Sequence, residues 1–280
     1  MGQTFFSIVV VCLNPGQKLQ ETVNSILGQQ YGNYEIIVKD GGSADGSISQ
    51  LPADSRIRLF TEKDKGIYDA MNQALPRMKG QYVLFLNCGD LFYDEHVLAA
   101  MAEVIEKRKE ADKRGYKESL RIFYGNQYNE LQKTVVYSAP EVNDFTCYRN
   151  VPCHQVCFYD TRLFEERGYD TAYKVRADYE HFLYCIYDRK AEAVYTETLI
   201  ARYEGGGFSE TKENRIRSAA EHRQITTRYL GTGKVLRYRA LMLLTLAPLR
   251  TMLAENEKYA EHYNKIKTAV YKCLGKGKKA

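Results

Sequence analysis

Residues 5–12 read FFSIVVVC and run straight into Leu13-Asn14-Pro15-Gly16. A continuous, β-branched apolar run of this length predicts a strand buried on both faces, because a half-exposed strand would alternate apolar with polar. The Pro-Gly pair then ends it. Working outward, Leu19, Val23, Ile26 and Leu27 recur at helical spacing within residues 17–29. YEIIVK (34–39) predicts a second buried strand, ending in Asp40-Gly41-Gly42-Ser43 and a short helix. RIRLF (56–60) predicts a third strand. A helix follows Gly66 through Ile67, Ala70, Met71, Ala74 and Leu75. QYVLFLN (81–87) predicts a fourth strand, running into Cys88-Gly89-Asp90, and residues 94–109 the next helix.

Strand and helix thus alternate four times by residue 109. That pattern specifies an α/β fold with a mostly parallel central sheet covered by helices on both faces. Ligands of open α/β sheets sit beyond the carboxyl ends of the strands. Three turns fall at such ends: Asn14-Pro15-Gly16, Asp40-Gly41-Gly42 and Asn87-Cys88-Gly89-Asp90. They are expected to meet in one cleft. Beyond them, RIFYGN (121–126) and KTVVYS (133–138) predict a hairpin-like pair, HQVCFYD (154–160) a strand, 161–168 and 177–188 helices, 191–203 one or two strands, and 210–230 a charged helix.

The chain has 280 residues, 44% hydrophobic and 27% charged, as in an ordinary globular protein. No run reaches the roughly 18 apolar residues of a membrane span. The start, MGQTFFSIVVVCLN, lacks the basic n-region and cleavage site of a signal peptide, and Phe6 stands where a myristoylation signal needs Ser or Thr. The seven cysteines have no CxxC spacing and read as reduced cytosolic thiols rather than disulfides or a zinc site. Charge is unevenly spread: residues 212–280 hold 16 Lys+Arg against 5 Asp+Glu, while residues 1–211 hold 24 against 30. A basic tail on an acidic body suggests an anionic partner, or simply a solvated helix face. Within the tail, VLRYRALMLLTLAPLRTM (235–252) has an apolar stretch too short to span, flanked by Arg237, Arg239 and Arg250. It suits a helix lying in a membrane interface, or one packing back on the body. Aromatic residues are not arranged as stacking platforms, so no nucleic acid is expected.

Four groups of residues carry chemistry. Asp90 ends a buried strand, where a carboxylate is costly unless it binds something. Hard cations such as Mg²⁺ or Mn²⁺ take one or two carboxylates and complete their shell with phosphates and water; a strand-end Asp equally caps a helix. Asp40, beside two glycines that admit a ligand to the main chain, could read the edge of a base; Ser43 could equally cap a helix there. Asp178 in RADYEHFLY opens an amphipathic helix and could act as a general base toward a hydroxyl, or be a favourable first-turn charge. Asp64, Asp69 and Asn72 cluster in EKDKGIYDAMN (62–72), and His154-Gln155 heads a strand.

SIVVVCLN, EIIVKDGGSADGS, EKDKGIYDAMN, YVLFLNCGD, CHQ and RADYEHFL together resemble, in order and spacing, the inverting glycosyltransferases of family 2, over about residues 5–210. The resemblance is greatest to bacterial enzymes of capsule, O-antigen and exopolysaccharide synthesis. It implies a GT-A fold with a C-terminal helical extension, a nucleotide-diphosphate sugar donor, by family habit a UDP-sugar, and a divalent metal, Mn²⁺ or Mg²⁺. It implies a GT-A domain over 1–210, with a nucleotide-sugar half (1–110) and an acceptor half (111–210), followed by the basic extension 211–280. By the resemblance, Val11, Leu13, Asp40, Asp64 and Asn87 line the donor site, Asp90 binds the metal, Asp178 is the catalytic base, and His154 and Gln155 fall on the acceptor side. Two departures stand out: many relatives carry two acids where this chain has Asp40-Gly41, and earlier acids of the metal motif are replaced by Asn87 and Gly89. The expected acceptor is a glycan or polyprenyl-diphosphate-linked glycan. The expected location is the cytoplasm, peripheral on the inner membrane face through residues 212–280. A sugar nucleotidylyltransferase would need an Arg/Lys-rich glycine loop after the first strand, where this chain has CLNPGQK. A dehydrogenase would need GxGxxG there. A non-catalytic sugar-binding subunit would not need Asp178 together with Asp90.

Overall fold

The computed structural model describes residues 4–115, 119–205 and 211–244. Its first compact unit, Met1–Tyr229, is built on one sheet. The strands are β1 (Phe6–Cys12), β2 (Tyr34–Asp40), β3 (Ile57–Thr61), β4 (Tyr82–Phe85), β5 (Leu91–Phe92), β6 (Arg121–Asn129), β7 (Thr134–Val136), β8 (Cys157–Asp160) and β9 (Glu192–Tyr203). Their order is β3-β2-β1-β4-β8-β6-β9-β5, with β7 paired to β6. The pairs among β1 to β4 are parallel, as is β6 with β9. β8 runs antiparallel between β4 and β6 and joins the two parallel sets. The helices are α1 (Lys18–Leu27), α2 (Ile67–Ala74), α3 (Val97–Gly115), α4 (Asp144–Arg149), α5 (Ala177–Tyr187) and α6 (Lys212–Leu230).

The unbroken apolar character of β1 has a direct cause. Val9 and Val11 pack into one core cluster with Met71 of α2 and Phe182 of α5. Phe6, Ile8, Val10 and Cys12 pack into the other, with Val23 of α1 and Met101 of α3. Both pleats are covered, so period-2 alternation has no polar side to show. Emptying such a site, as in Ile8→Ala, costs about 2–5 kcal/mol.

Two elements differ from the sequence reading. His154–Val156 is a 3-10 turn, and the strand begins only at Cys157. Residues 161–168 contain a single 3-10 turn, Thr161–Phe164, capped by Asp160, which accepts from the Arg162 amide. The first compact unit runs to Tyr229, and α6 packs into it. Its Ile225 is fully buried. Tyr229 donates to the buried Glu180 at 2.5 Å. Glu221 accepts from the backbone N–H groups of Lys174, Val175 and Arg176 at 2.8, 3.0 and 2.9 Å.

A second compact unit begins at Leu230. Its described part is helix α7 (Thr232–Leu244), which has no buried residue. Leu236, Leu241, Leu243 and Leu244 are exposed on it. Among the described residues, no helix is long and apolar enough to cross a membrane. The apolar stretch beyond Leu244, with Pro248 and Arg250, lies outside the described residues.

Candidate active site

The carboxyl ends of β2, β1 and β4 are neighbours, so the three turns converge. Asn14 N–H donates to Ser43 Oγ at 2.8 Å, and Asn14 Oδ1 accepts from Ala44 N at 2.9 Å. Thr22 of α1 accepts from Gly89 N at 2.9 Å and donates to the Asp90 carbonyl at 3.0 Å. One cleft therefore collects the first, second and fourth strand ends, as the sequence predicts.

At the β2 end, Asp40 is 1% exposed. Its carboxylate accepts from Ser43 N at 3.0 and 3.1 Å and from Ser43 Oγ at 2.6 Å. It is engaged within its own turn. The carboxylate that reaches the cleft surface there belongs to Asp64. A side chain on Gly41 would put its Cβ 2.8 Å from Asp64 Oδ2 and 3.3 Å from Leu13 Cδ1. Asp64 thus fills the space that a second acid at position 41 would take. It is held there by Lys39, whose side chain is 2% exposed. All three Lys39 ammonium protons are used: on Asp64 Oδ2 at 3.0 Å, Glu62 O at 2.6 Å and Asp40 O at 3.1 Å. Val11 is buried in β1 beneath this corner, and Leu13 is exposed above it.

At the β4 end, Asp90 is 4% exposed. Gln155 Nε2 donates to its Oδ2 at 2.8 Å and Glu204 N to its Oδ1 at 3.1 Å. Burial raises the Asp90 carboxyl above its usual range, and these two donors offset this only in part. Asn87 Oδ1 is buried with no hydrogen-bond partner among the described residues. Nowhere among the described residues do three His, Cys, Asp or Glu side chains gather as a metal cage. A buried carboxylate beside an unused oxygen nevertheless fits a hard cation that draws most of its shell from phosphate and water. Burial pushes the Cys88 thiol up to about 12.

Across the cleft stands Asp178, in the first turn of α5, with its side chain 24% exposed. Tyr68 of α2 donates to its Oδ1 at 2.8 Å, and His154 Nδ1 lies 3.1 Å from its Oδ2. Burial pushes the Asp178 carboxyl up, but the hydrogen bond and charge of His154, then the Tyr68 hydroxyl, outweigh it and bring it below the usual range. It is a carboxylate at neutral pH, aimed by two fixed partners. His154 Nε2 is buried and without a partner among the described residues. The Glu221 hydrogen bonds to the 174–176 backbone fix the segment from which Asp178 projects.

The structure groups Lys39, Asp40 and Asp64 at the β2 end and brings Asp90 with Gln155 beside Asp178 with His154, while Asn72 bonds the Tyr169 backbone instead. Lys39, Tyr68 and Glu204 escaped the sequence reading. Lys39 alone left a signal: a lysine inside a strand that otherwise reads as buried.

The sequence profile of glycosyl transferase family 2 matches residues 7–166. The chain belongs to that family. A PGL/p-HBAD biosynthesis glycosyltransferase of Mycobacterium bovis is 30% identical over 218 residues, covering 75% of this chain and 81% of the relative. This glycosyltransferase also shares its fold with solved structures. S. aureus TarS 1–349 in complex with UDP superposes with a TM-score of 0.59 at 17% identity, over 81% of this chain and 70% of that one. The alignment spans 43% of a longer TarS chain. A Pyrobaculum calidifontis mannosyltransferase in complex with GDP-Man and Mn²⁺ superposes with a TM-score of 0.58 at 16% identity, over 97% of this chain and 87% of that one. The curled, mostly parallel sheet with flanking helices is the GT-A fold.

Proposed function

We propose that this glycosyltransferase inverts the anomeric centre as it moves a sugar from a nucleotide-diphosphate donor, a UDP-sugar, to a hydroxyl of a glycan or polyprenyl-diphosphate-linked acceptor in bacterial surface polysaccharide synthesis. The observation that carries the reading is the Asp178 carboxylate, kept ionised and aimed by Tyr68 and His154 across the cleft from Asp90. Asp178 takes the proton of the acceptor hydroxyl, and that oxygen attacks the anomeric carbon opposite the leaving diphosphate. A base in this position contributes about 10²–10⁴ in rate. One displacement suffices, so no nucleophilic side chain is required. Asp64 and the exposed Leu13 receive the nucleobase, above Val11 and the self-engaged turn of Asp40. Asp90, with Asn87 beside it, would hold Mn²⁺ or Mg²⁺, which when bound neutralises diphosphate charge. Residues to about 110 thus serve the donor. Residues 111–210 serve the acceptor, with Gln155 reaching back to Asp90.

The enzyme works in the cytoplasm, peripherally on the inner face of the membrane. Support comes from α7, where four exposed leucines share one helix with Lys234, Arg237 and Arg239. Sedimentation with phosphatidylglycerol vesicles checks this: Arg237→Glu with Arg239→Glu should lose binding, and unchanged binding would remove the membrane role.

A thermal-shift panel of UDP, GDP, dTDP and CMP, each with and without Mn²⁺, tests the donor site. Binding to the native state alone stabilises by about 2.7 kcal/mol at 100 times the dissociation constant. A Mn²⁺-dependent shift with UDP, absent in Asp90→Ala, is expected. No shift with any nucleotide would sink the reading.

A further inference from the structure

The metal motif is short of an acid at Gly89, and the structure puts one in its place from elsewhere. Gly89 has a φ of 106°, which favours glycine. A Cβ built on it would lie 2.6 Å from Glu204 Oε2 and 3.6 Å from Lys18 Cδ. The Glu204 carboxylate therefore occupies the volume of a side chain at position 89, next to Asp90. It arrives from the residue following β9, and its main chain is pinned: Glu204 N–H donates to Asp90 Oδ1 at 3.1 Å. The side chain itself is free to turn, being 46% exposed, and it pairs with the 54% exposed Lys18 at 2.7 Å. An exposed pair of this kind is weak, so it yields readily to a stronger partner.

We infer that Glu204 is the second carboxylate of the divalent-cation site, replacing the acid missing at Gly89. The inference rests on the donor-site reading given above. A rotation about the Glu204 side chain, with the backbone bond to Asp90 intact, moves the carboxylate from Lys18 toward a cation on Asp90. Two carboxylates and a diphosphate are the usual complement for Mg²⁺ or Mn²⁺. The same rotation frees the Lys18 ammonium, at the start of α1 and beside Gly89, to face a diphosphate. Each Lys18–Glu204 charge exchanges one partner for another, and no charge is left buried.

The test is Mn²⁺ affinity of the full chain with saturating UDP, followed by the free-Mn²⁺ paramagnetic resonance signal. Glu204→Gln should weaken Mn²⁺ binding about tenfold, with the melting temperature of the unliganded protein unchanged, because the glutamine keeps the backbone bond. Glu204→Asp should recover part of the loss. Asp90→Asn should abolish binding. If Asp90→Asn abolishes binding while Glu204→Gln leaves it within about twofold, the inference fails and the metal site on Asp90 stands. If the unaltered chain binds no Mn²⁺, or Asp90→Asn binds it normally, the donor-site reading fails and takes the inference with it.

Discussion

The two ends of the proposed donor site solve the same problem in opposite ways. At the proposed nucleobase end, Gly41 leaves a space that Asp64 fills, and at the proposed diphosphate end Gly89 leaves one that Glu204 fills. Each acid faces a lysine. The Lys39–Asp64 pair is almost sealed, at 2% and 11% exposure, with every ammonium proton used. The Lys18–Glu204 pair lies open, at 54% and 46%. Burial makes the first pair rigid, since breaking it would strand a charge in low dielectric. Exposure makes the second cheap to break and screened by salt. On the proposed reading, a fixed acceptor suits a base edge, and groups that can change partners suit a cation and a diphosphate that come and go.

Removing each lysine should separate the two ends most strongly. Lys39→Met leaves the Asp64 carboxylate buried without its cation and should cost about 3–5 kcal/mol in urea unfolding. A cost below about 1 kcal/mol would mean that the pair is solvated and the contrast false. This comparison is best made above pH 6.5, because two buried histidines impose a common acid lability. Burial lowers His181 to about 3 and His222 to about 4. The unfolded chain therefore takes up protons first, and stability falls as pH drops below about 6.5, by about 1.4 kcal/mol per unit per histidine until each folded value is reached. Urea midpoints between pH 7 and 5 should show that slope, and His181→Gln should reduce it by one proton.

A smaller effect is expected from Gly41→Ala, whose methyl would meet Asp64 Oδ2. Displacing that carboxylate should raise the donor KM about tenfold, or about 1.4 kcal/mol, with kcat nearly kept. A fall in kcat alone would mean that Asp64 acts on the chemistry rather than on binding. The smallest change is Lys18→Met, at under about 1 kcal/mol of stability and less in 0.5 M salt. Calorimetric melting at two salt concentrations measures it.

The frame of the cleft was legible because it rests on local rules. FFSIVVVC and YEIIVK could only be doubly covered strands, and the turns that follow them had to share one edge of the sheet. The helix that Asp178 opens was legible too, from its apolar run behind a first-turn acid. Partner choice was not. Nothing in the spacing of Glu204 from Gly89 announces that β9 returns beside β5, because that neighbourhood is set by the antiparallel pairing of Leu91 with Arg202 and Phe92 with Ala201. Asp40 ends a strand beside glycines, and the fold shows Ser43 closing on it. The docking of α6 was not legible, because its charge density marks solvent exposure along most of the helix but not at Glu221 and Ile225, which it turns inward.

The central claim is that Asp178 removes the acceptor proton while the donor site stands apart from it. Asp178→Asn preserves shape and the Tyr68 contact, so UDP should bind with unchanged affinity in calorimetry with Mn²⁺. Transfer to acceptor should fall by about 10²–10⁴ in the same preparation. Transfer within about threefold of the unaltered enzyme, with donor binding intact, would contradict the account and remove Asp178 from the chemistry.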